Sequence, residues 1–111
     1  MKLVKDRDPR MGLCIDAGHT VRLGEDPVAV IQDCANRLYD FQIKDVTEAT
    51  AKGGATEIGK GVIDIVAVLR ALVGLNYAHH VALEYETNAD APMPGMLESY
   101  AYLRGVLAAL D

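Results

Sequence analysis

Three short apolar runs in this chain each end in ionisable side chains. Residues 11–16 (MGLCID) end in Asp16, with His19 three positions on; residues 38–44 (LYDFQIK) end in Lys44, followed by Asp45; residues 79–85 (HHVALEY) carry Glu84, with Glu86 just beyond. If the runs are parallel strands, their carboxyl ends converge on one edge, where active sites of parallel α/β proteins lie. Carboxylates gathered there repel one another unless a cation neutralises them. A mixture of Asp, Glu and imidazole is the ligand set of a catalytic divalent metal such as Mn²⁺, Mg²⁺, Co²⁺ or Zn²⁺. Spacing alone leaves open the plainer alternative, that these are solvated charges at strand ends.

The elements needed to position these groups are legible between the runs. Asp26-Pro27 is an N-cap followed by a first-turn proline, and Val28, Ile31, Cys34, Ala35 and Leu38 recur at helical intervals, so a helix is expected from there to about Arg37, after a loop over 17–25. Asp64 is the expected cap of a second helix over 65–73, which Gly74 stops. Met96, Tyr100, Leu103, Leu107 and Leu110 define the apolar face expected of a closing helix. Strand and helix thus alternate three times, which predicts an α/β domain over residues 1–111: a parallel sheet of three βα units with right-handed crossovers. A loop through KGGATEIGKG separates the second strand from its helix. Gly54 to Gly61 there imitates a phosphate loop, but Gly61 stands where the Mg²⁺-binding Ser or Thr is required, so nucleotide binding is not expected.

Composition sets the outer bounds. Half of the 111 residues are hydrophobic and 5% aromatic, enough for one aliphatic core. Sixteen acidic against eleven basic residues, the latter scattered, lack the footprint of a nucleic-acid binder. The longest apolar run, 65–75, is broken by Arg70 and too short for a bilayer, and residues 1–10 contain no apolar signal segment, so a cytoplasmic location is the default expectation. Cys14 and Cys34 sit in apolar stretches without metal-type spacing and are expected to be reduced, buried packing residues. His79 and His80 start the third strand, at the end away from Glu84, and are expected to be structural.

GLCIDAGHT, DFQIKDV, GKGVIDIVAVLRAL and VALEYE, in that order, resemble the last three βα units of the xylose isomerase-like TIM barrels, the sugar-phosphate isomerase/epimerase group. The resemblance implies that Asp16 binds a divalent metal and that His19 contacts the substrate or a second metal. It makes Glu84 a metal ligand and catalytic acid/base. The family's H-x-K-D is here Gln42, Lys44 and Asp45, so a weaker amide oxygen replaces an imidazole at Gln42, while Lys44 lies near the substrate. The G-K-G stretch makes Lys60 a contact for a sugar or its phosphate. A second catalytic carboxylate is implied on the strand before residue 11, which has no counterpart in this sequence.

The expected fold is therefore the last three-eighths of a TIM barrel, whose open edges and uncovered inner face call for a second copy of the chain, most simply in a two-fold dimer. The expected function is that of a sugar or sugar-phosphate isomerase/epimerase-like protein with a partial metal site at Asp16, Gln42 and Glu84, inactive as a lone chain. Moving a proton next to a carbonyl needs a base on each face for epimerisation, and Glu84 supplies one. Inosose dehydratase-like chemistry uses the same groups and is not separated from epimerisation by these motifs. The competing reading is a non-catalytic derivative that acts as an oligomeric scaffold or binding module.

Overall fold

The computed structural model of the chain describes residues 2–110. Its main sheet has three parallel strands, β1 (Leu13–Asp16), β2 (Leu38–Ile43) and β5 (His80–Leu83), in the order β1-β2-β5. Between them run α1 (Ala17–Arg22), α2 (Pro27–Cys34) with a 3₁₀ turn over Ala35–Arg37, and α3 (Ile65–Gly74); α4 (Met93–Ala109) closes the chain. A two-stranded antiparallel ribbon, β3 (Asp45–Val46) with β4 (Ala55–Thr56), follows β2. The domain is α/β, a parallel three-strand segment of a βα barrel, as the alternation of apolar runs predicts.

Side-chain alternation along β2 divides the sheet into two faces. Phe41 and Ile43 are fully buried against Ile31 of α2, Ile65, Val68, Leu69 and Leu72 of α3, and Leu103 of α4. Leu38 joins the same core because the register slips by one residue at Tyr39, where Leu13 pairs with Leu38 but Cys14 with Asp40. The opposite face would line a barrel. It carries Cys14 and Asp16 from β1, Asp40 and Gln42 from β2, and His80 and Ala82 from β5, with His80 and Ala82 exposed.

The expected caps are present: Asp26 accepts from the Val28 N–H at 3.0 Å and Asp64 from the Ala67 N–H at 2.9 Å. Several expectations are corrected. Residues 17–22 form a helix, because Asp16 accepts the His19 N–H at 2.8 Å and so caps a turn as well as ending a strand. Gly74 stays helical, and the left-handed residue beyond it is Asn76 (φ 50°). Helix α4 begins three residues before Met96 and buries Gly95, Ser99 and Leu103, while Tyr100 and Leu107 are exposed. Cys34 is buried as expected, but Cys14 is exposed, since its place in the strand puts the thiol on the open face.

The amino-terminal segment, unassigned from sequence, is tied beneath the sheet by Arg37. Its guanidinium donates to the carbonyls of Arg7, Asp8 and Met11 at 3.0, 2.9 and 2.8 Å. Among the described residues no helix is long and apolar enough to cross a membrane.

Candidate functional site at the strand ends

Asp16 and Gln42 are register partners at the carboxyl ends of β1 and β2, so their side chains leave the same face of the sheet side by side. Gln42 pairs in turn with Ala82, and Glu84 stands two positions further along on that face, its N–H bonded to the Ile43 carbonyl at 2.9 Å. Asp16 and Gln42 therefore share one face and one edge, and Glu84 directly follows the end of β5 at that edge.

Lys44 lies at the centre of the arrangement. Its side chain is 2% exposed, and its ammonium sits 3.5 Å from Asp16 Oδ2 while donating to Glu86 Oε2. The stem reaches this position by passing against Gly18, where a Cβ would lie 2.7 Å from Lys44 Cδ. Glycine at position 18 is what lets a lysine from β2 run beneath α1, so the glycine of the D-x-G-H run has a packing reason here.

The two oxygens of Asp16 have separate roles. Oδ1 caps α1 through the His19 N–H; Oδ2 is buried and accepts no hydrogen bond. A buried carboxylate oxygen with only an ammonium at ion-pair distance has capacity for another cation or donor. Oxygen donors of the Gln42 and Glu84 type suit a hard divalent ion better than a zinc-like one. Among the described residues, no three His, Cys, Asp or Glu side chains are grouped so as to hold a metal by themselves. The His19 ring is exposed above this edge.

The remaining strand-end candidates serve elsewhere. Asp45 is fully buried and accepts four backbone N–H groups, those of Val46 (2.9 Å), Gly59 (2.9 Å), Gly61 (3.0 Å) and Ile63 (3.2 Å). It organises the glycine-rich loop and does not add a carboxylate to the open edge. A Cβ at Gly61 would collide with the Asp45 carboxylate, which accounts for the glycine after Lys60. Lys60 itself pairs with Glu98 of α4 at 2.8 Å and lies 3.9 Å from Glu57; its contacts are with these two carboxylates and not with Asp16, Gln42 or Glu84. His79 packs against the rings of Tyr39 and Tyr77, with centroids 5.4 and 5.5 Å away, at the far end of the strand.

Two further groups belong to this region. Lys44 beside Glu86 holds the Glu86 carboxyl below its ordinary range, with smaller contributions from His19 and Arg22. Arg22 carried no signal in the sequence, because it lies on the last turn of a helix that reads as loop. Desolvation, followed by Asp40 and the Asp16 and Glu84 charges, pushes the Cys14 thiol up. Cys14 and Asp40 are adjacent in register on the same open face.

A parallel sheet with ionisable groups gathered at its carboxyl edge, each strand followed by a helix or helices on one face, defines part of a βα barrel of the kind that carries its chemistry on the strand ends. A family model described as the xylose isomerase-like TIM barrel matches residues 1–106, and the chain belongs to that family. Inosose dehydratase of Clostridium tetani is 32% identical over 109 residues, covering 84% of this chain and 37% of that protein; the enzyme of the same name from Geobacillus thermodenitrificans is 29% identical over 121 residues, covering 93% and 41%. Among solved structures, a xylose isomerase domain protein from Planctomyces limnophilus superposes with a TM-score of 0.86 at 18% identity, over 98% of this chain and 42% of that one. A D-tagatose 3-epimerase-like protein gives 0.74 at 21%, over 99% and 41%. The chain thus spans about two-fifths of the length of the relatives it matches, and these structural likenesses speak for the fold.

Proposed function

We propose that this chain supplies the carboxyl-terminal portion of a sugar- or cyclitol-modifying site of the isomerase, epimerase and dehydratase type. The observation that carries the reading is Asp16 Oδ2, buried without a hydrogen-bond partner and level in register with Gln42, at the edge where Glu84 follows β5. Asp16, Gln42 and Glu84 would hold a divalent cation, which when bound polarises a ligand carbonyl and stabilises the enediolate beside it. Glu84 is the proton-transferring carboxylate, because it reaches the same face from the neighbouring strand. Lys44, fixed between Asp16 and Glu86, and His19 above them present donors to ligand oxygens.

One carboxylate can move a proton on one face of a ligand, so the full reaction requires a second base from elsewhere in a complete barrel. A second copy of this chain is a candidate source. The inner face carries Asp16 and Asp40 and would repel its own copy, which favours contact through the free edge of β5 and the exposed Val81, Tyr100 and Leu107. The sugar arm is tested by NMR of fructose protons mixed with the chain and Mn²⁺. Selective broadening that Asp16→Asn abolishes supports it. Broadening equal to that of Mn²⁺ without protein favours the non-catalytic scaffold.

A further inference from the structure

Phe41 and Val81 are level in register on neighbouring strands, on the face of the sheet opposite Gln42, yet Phe41 is fully buried and Val81 is 40% exposed. The helices that cover Phe41 do not close over β5. Between α3, α4 and Val81 lies a cavity of about 390 Å³, in the size range of small-molecule sites. Leu69 and Leu72 of α3 and Leu103 of α4 are its buried lining, and Leu107 of α4 is exposed lining.

Two nitrogen-bearing side chains border this apolar space. Arg104 lies three positions before Leu107 on α4, so it shares that side chain's face of the helix and lines the cavity. Among the described residues it has no ion pair or hydrogen bond. His79 adds its ring from the residue before β5, held by the rings of Tyr39 and Tyr77. Sixteen residues of the chain are Asp or Glu, yet none lines the cavity, so an anion here meets a guanidinium and an imidazole and no carboxylate.

We propose that this cavity binds an amphipathic monocarboxylic acid, its aliphatic or aryl arm against Leu69, Leu72, Leu103 and Val81 and its carboxylate on Arg104. The arm covers apolar surface at Val81 and Leu107 that water now reaches, which supplies the driving force. The guanidinium donates two parallel N–H bonds to the carboxylate, a bidentate, charge-assisted pairing. A sugar lacks the apolar arm, so the ligand class differs from that of the strand-end edge, and the site requires no cation. A second copy docked along β5 is the rival occupant. The cavity's volume and its unpaired guanidinium match a small acid.

The probe is octanoate below its micellar concentration, titrated into the full chain by calorimetry, with methyl chemical shifts of Val81, Leu103 and Leu107 locating it. We expect saturable binding with shifts at these methyls, about tenfold weaker in Arg104→Gln and lost in Leu107→Trp, whose indole fills the space. Both substituted positions are exposed, so neither change removes a buried side chain. Octanol keeps the arm without the charge and should bind wild type and Arg104→Gln equally. Acetate keeps the charge without the arm and should not compete. Folded wild type without saturable octanoate binding would overturn the proposal, as would equal affinities in wild type, Arg104→Gln and Leu107→Trp, the mark of unspecific surfactant adsorption. Wild type that sediments as a dimer and takes up no octanoate would give the cavity to the second copy and overturn it likewise.

Discussion

Gly18 and Lys44 compete for one volume: a Cβ at position 18 would stand 2.7 Å from Lys44 Cδ and 2.9 Å from its Cγ. Gly18→Ala therefore displaces the lysine stem and the ion pair it carries, and overpacking of this kind costs about 1–3 kcal/mol in urea unfolding. Shortening the partner relieves the clash, so Gly18→Ala costs less in a Lys44→Ala background. Additive losses in the double-mutant cycle would show that the two side chains do not share this space. Lys44→Met keeps most of the stem but leaves Asp16 without its cation, at a cost of about 3 kcal/mol.

Asp45 is expected to act through the loop and not through ligand binding. Its four N–H partners bracket residues 46–63. Asp45→Ala should cost about 2–4 kcal/mol, since charge-assisted bonds are lost and buried N–H groups are left unpaired. Asp45→Asn should cost less, because the amide oxygen still accepts. Amide hydrogen exchange at Gly59, Gly61 and Ile63 reads this directly; unchanged protection in Asp45→Ala would contradict the assignment.

The Glu86–Lys44 pair makes a pH-dependent contribution whose sign follows from the direction of the Glu86 shift. Its carboxyl is held below the ordinary value of 4.5, chiefly by Lys44, so the folded state binds that proton less readily than the unfolded chain. The stabilisation is present above pH 4.5 and is lost as pH falls through the lower folded value. Wild type and Glu86→Gln should differ in stability at neutral pH and converge in acid. The difference should shrink with added salt, because Glu86 is half exposed. A gap that widens on acidification would refute the pairing.

Cys14 is exposed yet should react slowly. Desolvation and the nearby Asp40, Asp16 and Glu84 charges raise its thiol above the usual 9.0, leaving less than about 1% thiolate at neutral pH. Iodoacetamide labelling should be slow at pH 7, accelerate well above pH 9, and become faster in Asp40→Asn. Equal labelling rates for Asp40→Asn and wild type would remove Asp40 from the account.

The strands, the helices they feed and their parallel order were legible because β2 alternates cleanly about Phe41 and Ile43 and because Asp26-Pro27 and Asp64 are strong caps. Asp16 and Gln42 fall level at the ends of neighbouring strands for the same reason, since strand ends follow from strand positions. Asp16 also hid something. Read as a strand end, it concealed its second role as the cap of α1, and with that helix went Arg22. Cys14 was misplaced because apolar neighbours signal a strand but not which face is covered, and one face of this sheet is open. Lys60 in the glycine-rich loop and Asp45 at the start of β3 have long-range partners, Glu98 and the amides of Gly59, Gly61 and Ile63, that carry no local signature.

The proposed function stands or falls with Asp16, Gln42 and Glu84 acting as one cation- and sugar-binding edge. Mn²⁺ titration followed by electron paramagnetic resonance, on wild type, Asp16→Asn, Glu84→Gln and Gln42→His, tests it most directly. Wild type should bind weakly, the Asp16 and Glu84 variants should lose binding, and Gln42→His should gain about 10-fold or more in affinity, because an imidazole replaces a neutral amide. Gln42→His protein that folds normally and binds Mn²⁺ no better than Asp16→Asn would contradict it.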